Sequence, residues 1–223
     1  MIAFLFAVLL LPIFSKLLKK NKSINELTFV SFKILMTISV TLFLVCYFFN
    51  NEIISFRYSN GSFSDINNVL EQSSLILPIL MGCFVCVSIT YIFGTLLTAN
   101  GNLRYLNYIS LIAVIINVLL NYILIPYYGA VGSALTSFLT QLIVTFFQIY
   151  LCFKLFKLNI IKEILIPFFL FFIGLLLIGE ITSKIFAVWY FNMIIFGFSS
   201  IIWSFATRMI SIDYFKVIIS NKI

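Results

Sequence analysis

Apolar runs broken by short polar stretches dominate this chain from its first residue. A helix rises about 1.5 Å per residue, so about 20 mostly apolar residues cross a hydrocarbon core of about 30 Å. Seven segments fit that reading, at approximately 1–14, 28–49, 75–98, 105–126, 130–153, 164–182 and 185–207. Lys33, one turn inside the second, is the main charge within them. The longest connector, 50–74, leaves no room for a soluble catalytic domain. The pattern predicts an all-α, polytopic bundle of about seven transmembrane helices, forming one domain over 1–223.

The first segment is short, about 21 Å of helix for residues 1–14. It has no basic region before it and no small-x-small cleavage site, so it is not read as a signal peptide. An apolar helix that begins at residue 1 reads as one whose start is missing. The expectation is that the chain is the C-terminal part of a longer membrane protein.

Composition sharpens the class. Of 223 residues, 63% are hydrophobic and 9% charged, against about 25% charged in an ordinary soluble domain. Disorder and a disulfide scaffold are excluded by these numbers. With no His and seven acidic residues in all, few groups remain for acid–base chemistry, and no enzyme is expected. No cofactor or metal is expected either. Cys46, Cys83, Cys86 and Cys152 all lie in apolar segments, where the Cys83–Cys86 spacing reads as small-residue packing.

The net charge of +7 is a topology signal. Alternate connectors put Lys16, Lys19, Lys20, Lys22, Lys33, Arg104, Lys154, Lys157, Lys162, Arg208, Lys216 and Lys222 on one side. Only Arg57 and Lys184 fall on the other. Positive loops stay cytoplasmic, which predicts a multi-pass protein of the bacterial cytoplasmic membrane with its N-terminus outside and its C-terminus inside. Membrane lipid, not nucleic acid, is the partner this charge implies.

Polar side chains inside the segments should avoid lipid and face the bundle or a wet cavity. Asn117 and Asn121 share one helix face, as do Gln141 and Gln148, with Thr136, Thr140 and Thr145 nearby. Thr37, Ser39 and Thr41 mark the second segment, and Ser88, Thr90, Tyr91 and Thr95 the third. Two readings stand: hydrogen bonds between helices, worth about 0.6 kcal/mol each, or the lining of a transport path. Lys33 either snorkels to the cytoplasmic interface or faces a cavity and attracts an anionic head group. Lys33, Asn117, Asn121, Gln141 and Gln148 are therefore the substrate-path candidates. Gly129, Ser133 and Ser137 form a small-residue ridge with Gly132 and Ala134 beside it, suited to close helix packing. Pro126 is expected to end the preceding helix, with Tyr127, Tyr128 and Gly129 making the reversal.

Four stretches carry a family likeness. Residues 117–137, with Asn117, Asn121, Pro126, Gly129, Gly132, Ala134, Thr136 and Ser137, resemble the N…LNxLIPxxG motif of polysaccharide-export flippases. These are the Wzx-like members of the superfamily that also holds lipid II flippases and MATE exporters. Residues 7–16, 60–63 and 98–102 are similar to its other short motifs, in the same order. The resemblance implies two helical lobes around a central cavity with alternating access, this chain supplying helices eight to fourteen of fourteen. It implies transport of undecaprenyl-diphosphate-linked oligosaccharide, as in O-antigen and lipopolysaccharide assembly. The partners it implies are that lipid-linked substrate, other polysaccharide-assembly proteins, and a missing N-terminal lobe without which this chain is not expected to transport.

Competing readings differ in specific residues. A MATE-like, cation-coupled exporter would want a carboxylate in mid-span, and none of the seven acids sits there. A non-transporting remnant or membrane subunit would share every feature of the pattern. A photoreceptor would need a lysine inside the seventh segment, which has none. A membrane glycosyltransferase or polymerase would need catalytic residues in large loops, and only 50–74, with Arg57, Asp65 and Glu71, could supply them.

Overall fold

The computed structural model describes residues 2–58, 66–158 and 161–210. Asn60–Phe63 and Asp65, the side chains of Lys162 and Glu163, and the tail with Lys216 and Lys222 lie outside the described residues. The elements are α1 (Ile2–Lys19), α2 (Asn25–Phe48), α3 (Asn50–Tyr58), α4 (Ile66–Ala99), α5 (Leu103–Phe156), α6 (Ile161–Thr182) and α7 (Trp189–Ala206). There is no strand among the described residues, and the architecture is an all-α polytopic transmembrane bundle. Five helices among the described residues are long and apolar enough to cross a bilayer: α2, α4, α5, α6 and α7.

Helix α5 has 54 residues, which as a straight rod would measure about 81 Å. It is not straight. The Asn117 Nδ2 donates to Thr140 Oγ1 at 3.2 Å, although 23 residues along one helix axis would separate them by about 35 Å. The chain therefore folds back as a hairpin, an outgoing arm (103–128) and a return arm (130–156). The reversal falls at Gly129, whose φ of 55° and ψ of −128° are those of the first central residue of a type II′ turn. Pro126 does not end the helix as expected. Helical geometry continues to Tyr128, because the ring's fixed φ suits a helix and only a residue without Cβ can make the reversal.

The outgoing arm packs on little but its partner arm. Leu111, Val114, Ile115, Val118 and Leu119 are all exposed. A face of this kind is untenable in water and at home in hydrocarbon. Exposed Tyr105 and Tyr108 stand at one end and Tyr122, Tyr127 and Tyr128 at the other. From Tyr105 to Tyr127 is about 33 Å of helix, which puts phenol groups near both margins of a bilayer.

Helix α4 is the hub, in contact with α1, α2, α3 and α5. Two apolar clusters organise the rest. One joins Leu10, Phe14 and Leu17 of α1 to Leu27 of α2, to Phe93, Leu96 and Leu97 of α4, and to Cys152 of α5. The other joins Met36, Val40 and Leu44 of α2 to Phe171 and Leu175 of α6 and Phe196 of α7. Helix α2 serves both, so half of its span is buried.

Segment ends also differ from the hydropathy reading. Helix α1 continues to Lys19, because a lysine stem can extend its ammonium toward water from a last helical turn. The described residues of the 50–74 connector are helical, forming α3 and the first turns of α4.

Two glycines in α6 admit aromatic rings. A Cβ on Gly174 would fall within the Trp203 indole, and one on Gly179 within the Phe48 ring. The Trp203 Nε1 also donates to the Leu170 carbonyl at 3.3 Å. Gly174→Ala and Gly179→Ala should each destabilise the α6 contacts by about 1–3 kcal/mol through overpacking. Thermal unfolding in detergent should show both transitions lowered. Gly197→Ala, whose Cβ would meet open space, should leave the transition in place.

Candidate functional site

Hydroxyl groups are the commonest polar groups within the spans, and most are satisfied by their own helix. Thr28, Ser31, Thr37 and Ser39 of α2 donate to the carbonyls four residues back, at 2.7–2.9 Å. Ser88, Thr90 and Thr98 of α4 do the same. In a medium without water the helix's own carbonyl is the nearest acceptor, so a serine or threonine need not mark a neighbour or a cavity.

Bonds between helices are fewer and concentrate on the α4–α5 seam. The Thr145 Oγ1 donates to the Cys86 carbonyl at 3.1 Å and lies 3.1 Å from Thr90 Oγ1. Cys152 Sγ lies 3.5 Å from the Phe93 carbonyl. Gln148 is buried on the same seam, close to Gly94, where an added Cβ would come within 3.2 Å of Gln148 Oε1. Gln141 is half-buried two turns away on the return arm.

Asn117 and Asn121 lie elsewhere, inside the α5 hairpin. Asn121 Nδ2 donates to Asn117 Oδ1 at 3.0 Å, and Asn117 passes the chain on to Thr140. The small-residue ridge serves this same hairpin, with its roles redistributed. Gly132 makes the close approach, since a Cβ there would meet the Leu124 carbonyl oxygen at 2.5 Å. Gly129 makes the turn and is exposed. Ser133 and Ser137 are half-buried, and Ser137 donates to the Ser133 carbonyl at 3.0 Å.

Lys33 occupies a third place. It is buried, 9% exposed, on the α2 face that continues through Thr37 and Thr41. Thr37 and Thr41 border a groove of about 550 Å³ between α2 and α7. Its other wall is Gly197, Phe198, Ser200, Ile201 and Ser204 of α7. Thr37 donates to the Lys33 carbonyl at 2.8 Å, and Ser200 and Ser204 donate to carbonyls three residues back in α7. What remains facing the groove is mainly hydrocarbon, with a buried lysine one turn beyond Thr37.

The five substrate-path candidates are thus dispersed: Lys33 one turn beyond the α2–α7 groove, Asn117 and Asn121 in the α5 hairpin, Gln148 on the α4–α5 seam and Gln141 elsewhere on the return arm. The α7 wall of the groove did not stand out in the sequence. The signal available was Gly197, Ser200 and Ser204, small residues at helical spacing within an aromatic-rich segment. The remaining marginal charges sit at the ends of the bundle. Arg57, Glu71 and Arg104 are exposed, and Glu180 pairs with Lys184 on the surface.

A helical bundle with an apolar exterior and helices long enough to span a bilayer is a multi-pass membrane protein. A family model for the lipid II flippase MurJ matches residues 1–210, and the chain belongs to that family. It is accordingly a membrane flippase-family protein for a lipid-linked substrate. No curated protein and no solved structure matches the chain.

Proposed function

We propose that the substrate is an undecaprenyl-diphosphate-linked saccharide, moved from the inner to the outer leaflet of the bacterial cytoplasmic membrane by alternating access. The N-terminus lies outside and the basic end of the bundle faces the cytoplasm, as the lysine bias implies. The observation that carries the reading is Lys33, a buried ammonium beside an apolar groove that runs along α2 and α7. A diphosphate brought against this ammonium accepts charge-assisted hydrogen bonds that a neutral head group does not. The groove next to it suits a polyprenyl chain, while the saccharide follows a wetter route between lobes. Asn117 and Asn121 bond within the α5 hairpin and Gln148 is buried on the α4–α5 seam, so of the four amides only Gln141, half-buried on the return arm, is left to border that route. The likeness of residues 117–137 to the polysaccharide-export motif supports an oligosaccharide, and the family description supports lipid II. Both carry the polyprenyl diphosphate that Lys33 would meet.

Binding by the chain in lipid nanodiscs, read by native mass spectrometry, tests this. Lipid II, an undecaprenyl-diphosphate oligosaccharide and neutral undecaprenol are the three probes. Both diphosphates should bind more tightly than undecaprenol. Lys33→Gln should weaken both by about 10- to 100-fold, the worth of one charge-assisted contact. Lys33→Arg should retain most of the affinity. Diphosphates that bind no better than undecaprenol, or a Lys33→Gln chain that binds as well as the parent, would sink the proposal.

A further inference from the structure

The end of the bundle that holds Arg57 and Lys184, opposite the lysine-rich connectors, carries a second pocket of different chemistry. It has a volume of about 420 Å³ and is lined by Asn51, Glu52, Ser55 and Phe56 of α3 and Trp189 at the start of α7. Pockets for small ligands start at about 300 Å³. Positions 51, 52, 55 and 56 are spaced so that they share one helix face. Ile53 is turned the other way, packed against the α2–α6–α7 cluster. Phe56 is 73% exposed, and its ring lies 5.8 Å from the Trp189 ring at an interplanar angle of 58°.

Two aromatic faces beside a carboxylate, an amide and a hydroxyl make up a definite recognition chemistry. The electron-rich face of an aromatic ring attracts the polarised C–H groups on one face of a pyranose. The carboxylate and amide accept and donate to its ring hydroxyls. A Trp or Tyr that only anchors a helix in the bilayer interface turns its ring toward lipid. Here the aromatic pair shares its face with Glu52 and Asn51, groups that hydrocarbon would not accommodate, so the face is in water. The location also fits. Trp189 begins the helix whose later turns form the α2–α7 groove, so the pocket stands at that groove's far end.

We infer that Asn51, Glu52, Ser55, Phe56 and Trp189 form a carbohydrate subsite that receives a sugar ring of the head group at the end of the bundle opposite the lysine-rich connectors. The inference rests on the reading that the substrate is a lipid-linked saccharide, and it names where that saccharide is held after crossing. A resting place there would disfavour return of the head group while the lipid leaves.

The chain has two tryptophans, so Trp203→Phe leaves Trp189 as the sole indole reporter. Free N-acetylglucosamine and its β-1,4 disaccharide, titrated into that chain in nanodiscs, should change Trp189 fluorescence saturably, with half-saturation near millimolar. Glu52→Gln and Phe56→Ala should each raise that concentration at least tenfold. Phe56 exposes most of its surface, so its truncation leaves the core packing in place; circular dichroism and a monodisperse elution profile confirm it. Absence of a saturable response, or a response that both variants retain, overturns the inference. Quenching of Trp189 by brominated lipid without any response to sugar identifies an interfacial anchor and overturns it too. Free sugars carry no diphosphate, so the lipid-binding experiment on Lys33 can succeed when this one fails, and the two readings are judged separately.

Discussion

Replacing Gly132 with alanine is expected to force the two arms of α5 apart. The new methyl would sit 2.5 Å from the Leu124 carbonyl oxygen. That neighbour is backbone, so no rotamer change can relieve the clash, and one arm must move bodily. Overpacking of this kind costs about 1–3 kcal/mol. The shift would also lengthen the bond from Asn117 to Thr140, now 3.2 Å. Gly129 offers an informative contrast. A Cβ there meets nothing within 4 Å, yet φ is 55°. Gly129→Ala should therefore cost about 1–3 kcal/mol through backbone strain alone. Gly101 also has a positive φ, 77°, with open space around it. Asparagine tolerates the left-handed region, so Gly101→Asn should leave stability nearly unchanged. Thermal unfolding in one detergent ranks the three. A Gly132→Ala chain as stable as the parent would show that the arms are not packed as described.

Asn192→Leu should loosen the connection between α6 and α7. Asn192 is 2% exposed, and its side chain satisfies three backbone groups of residues 183–188. Oδ1 accepts from the Phe186 N–H at 3.0 Å. Nδ2 donates to the carbonyls of Ser183 at 3.1 Å and Phe186 at 2.9 Å. Leucine has nearly the same shape and none of these bonds. Each buried group left unpaired costs about 1–3 kcal/mol, less where the loosened loop admits water. A total near 3 kcal/mol is expected, with faster amide exchange confined to residues 183–192. Asn192→Asp should fail as well, because it keeps the acceptor and loses both donations. Exchange in this segment that matches the parent in both variants would contradict the assignment.

Much of the architecture is legible in hydropathy, because a bilayer imposes a length and an apolar content on any helix that crosses it. The extended segments of α2, α4, α6 and α7 follow from that rule. The all-α class follows as well, since only helices or closed barrels satisfy every backbone group in hydrocarbon. The likeness around residues 117–137 pointed to the lipid-linked flippases, and the family match places the chain among them. The sites were less legible. In water an amphipathic stripe shows which face of a helix packs, whereas in lipid both faces are apolar and that signal vanishes. Asn117 and Gln148 look alike in the sequence, yet one joins the arms of a hairpin and the other lies on the α4–α5 seam.

The sequence by itself determined that this protein lives in a membrane and is helical, because composition and run length act locally and need no partner. Its glycines were equally visible, but their roles were not. Tertiary structure decided that Gly132 provides space and Gly129 a backbone angle, since one depends on a residue eight positions away and the other on the reversal itself. It also decided that Lys33 stands beside a groove whose far wall is α7, a fact that depends on which helices are neighbours. Where lipid and protein interior are equally apolar, close packing and a few polar bonds choose the neighbours.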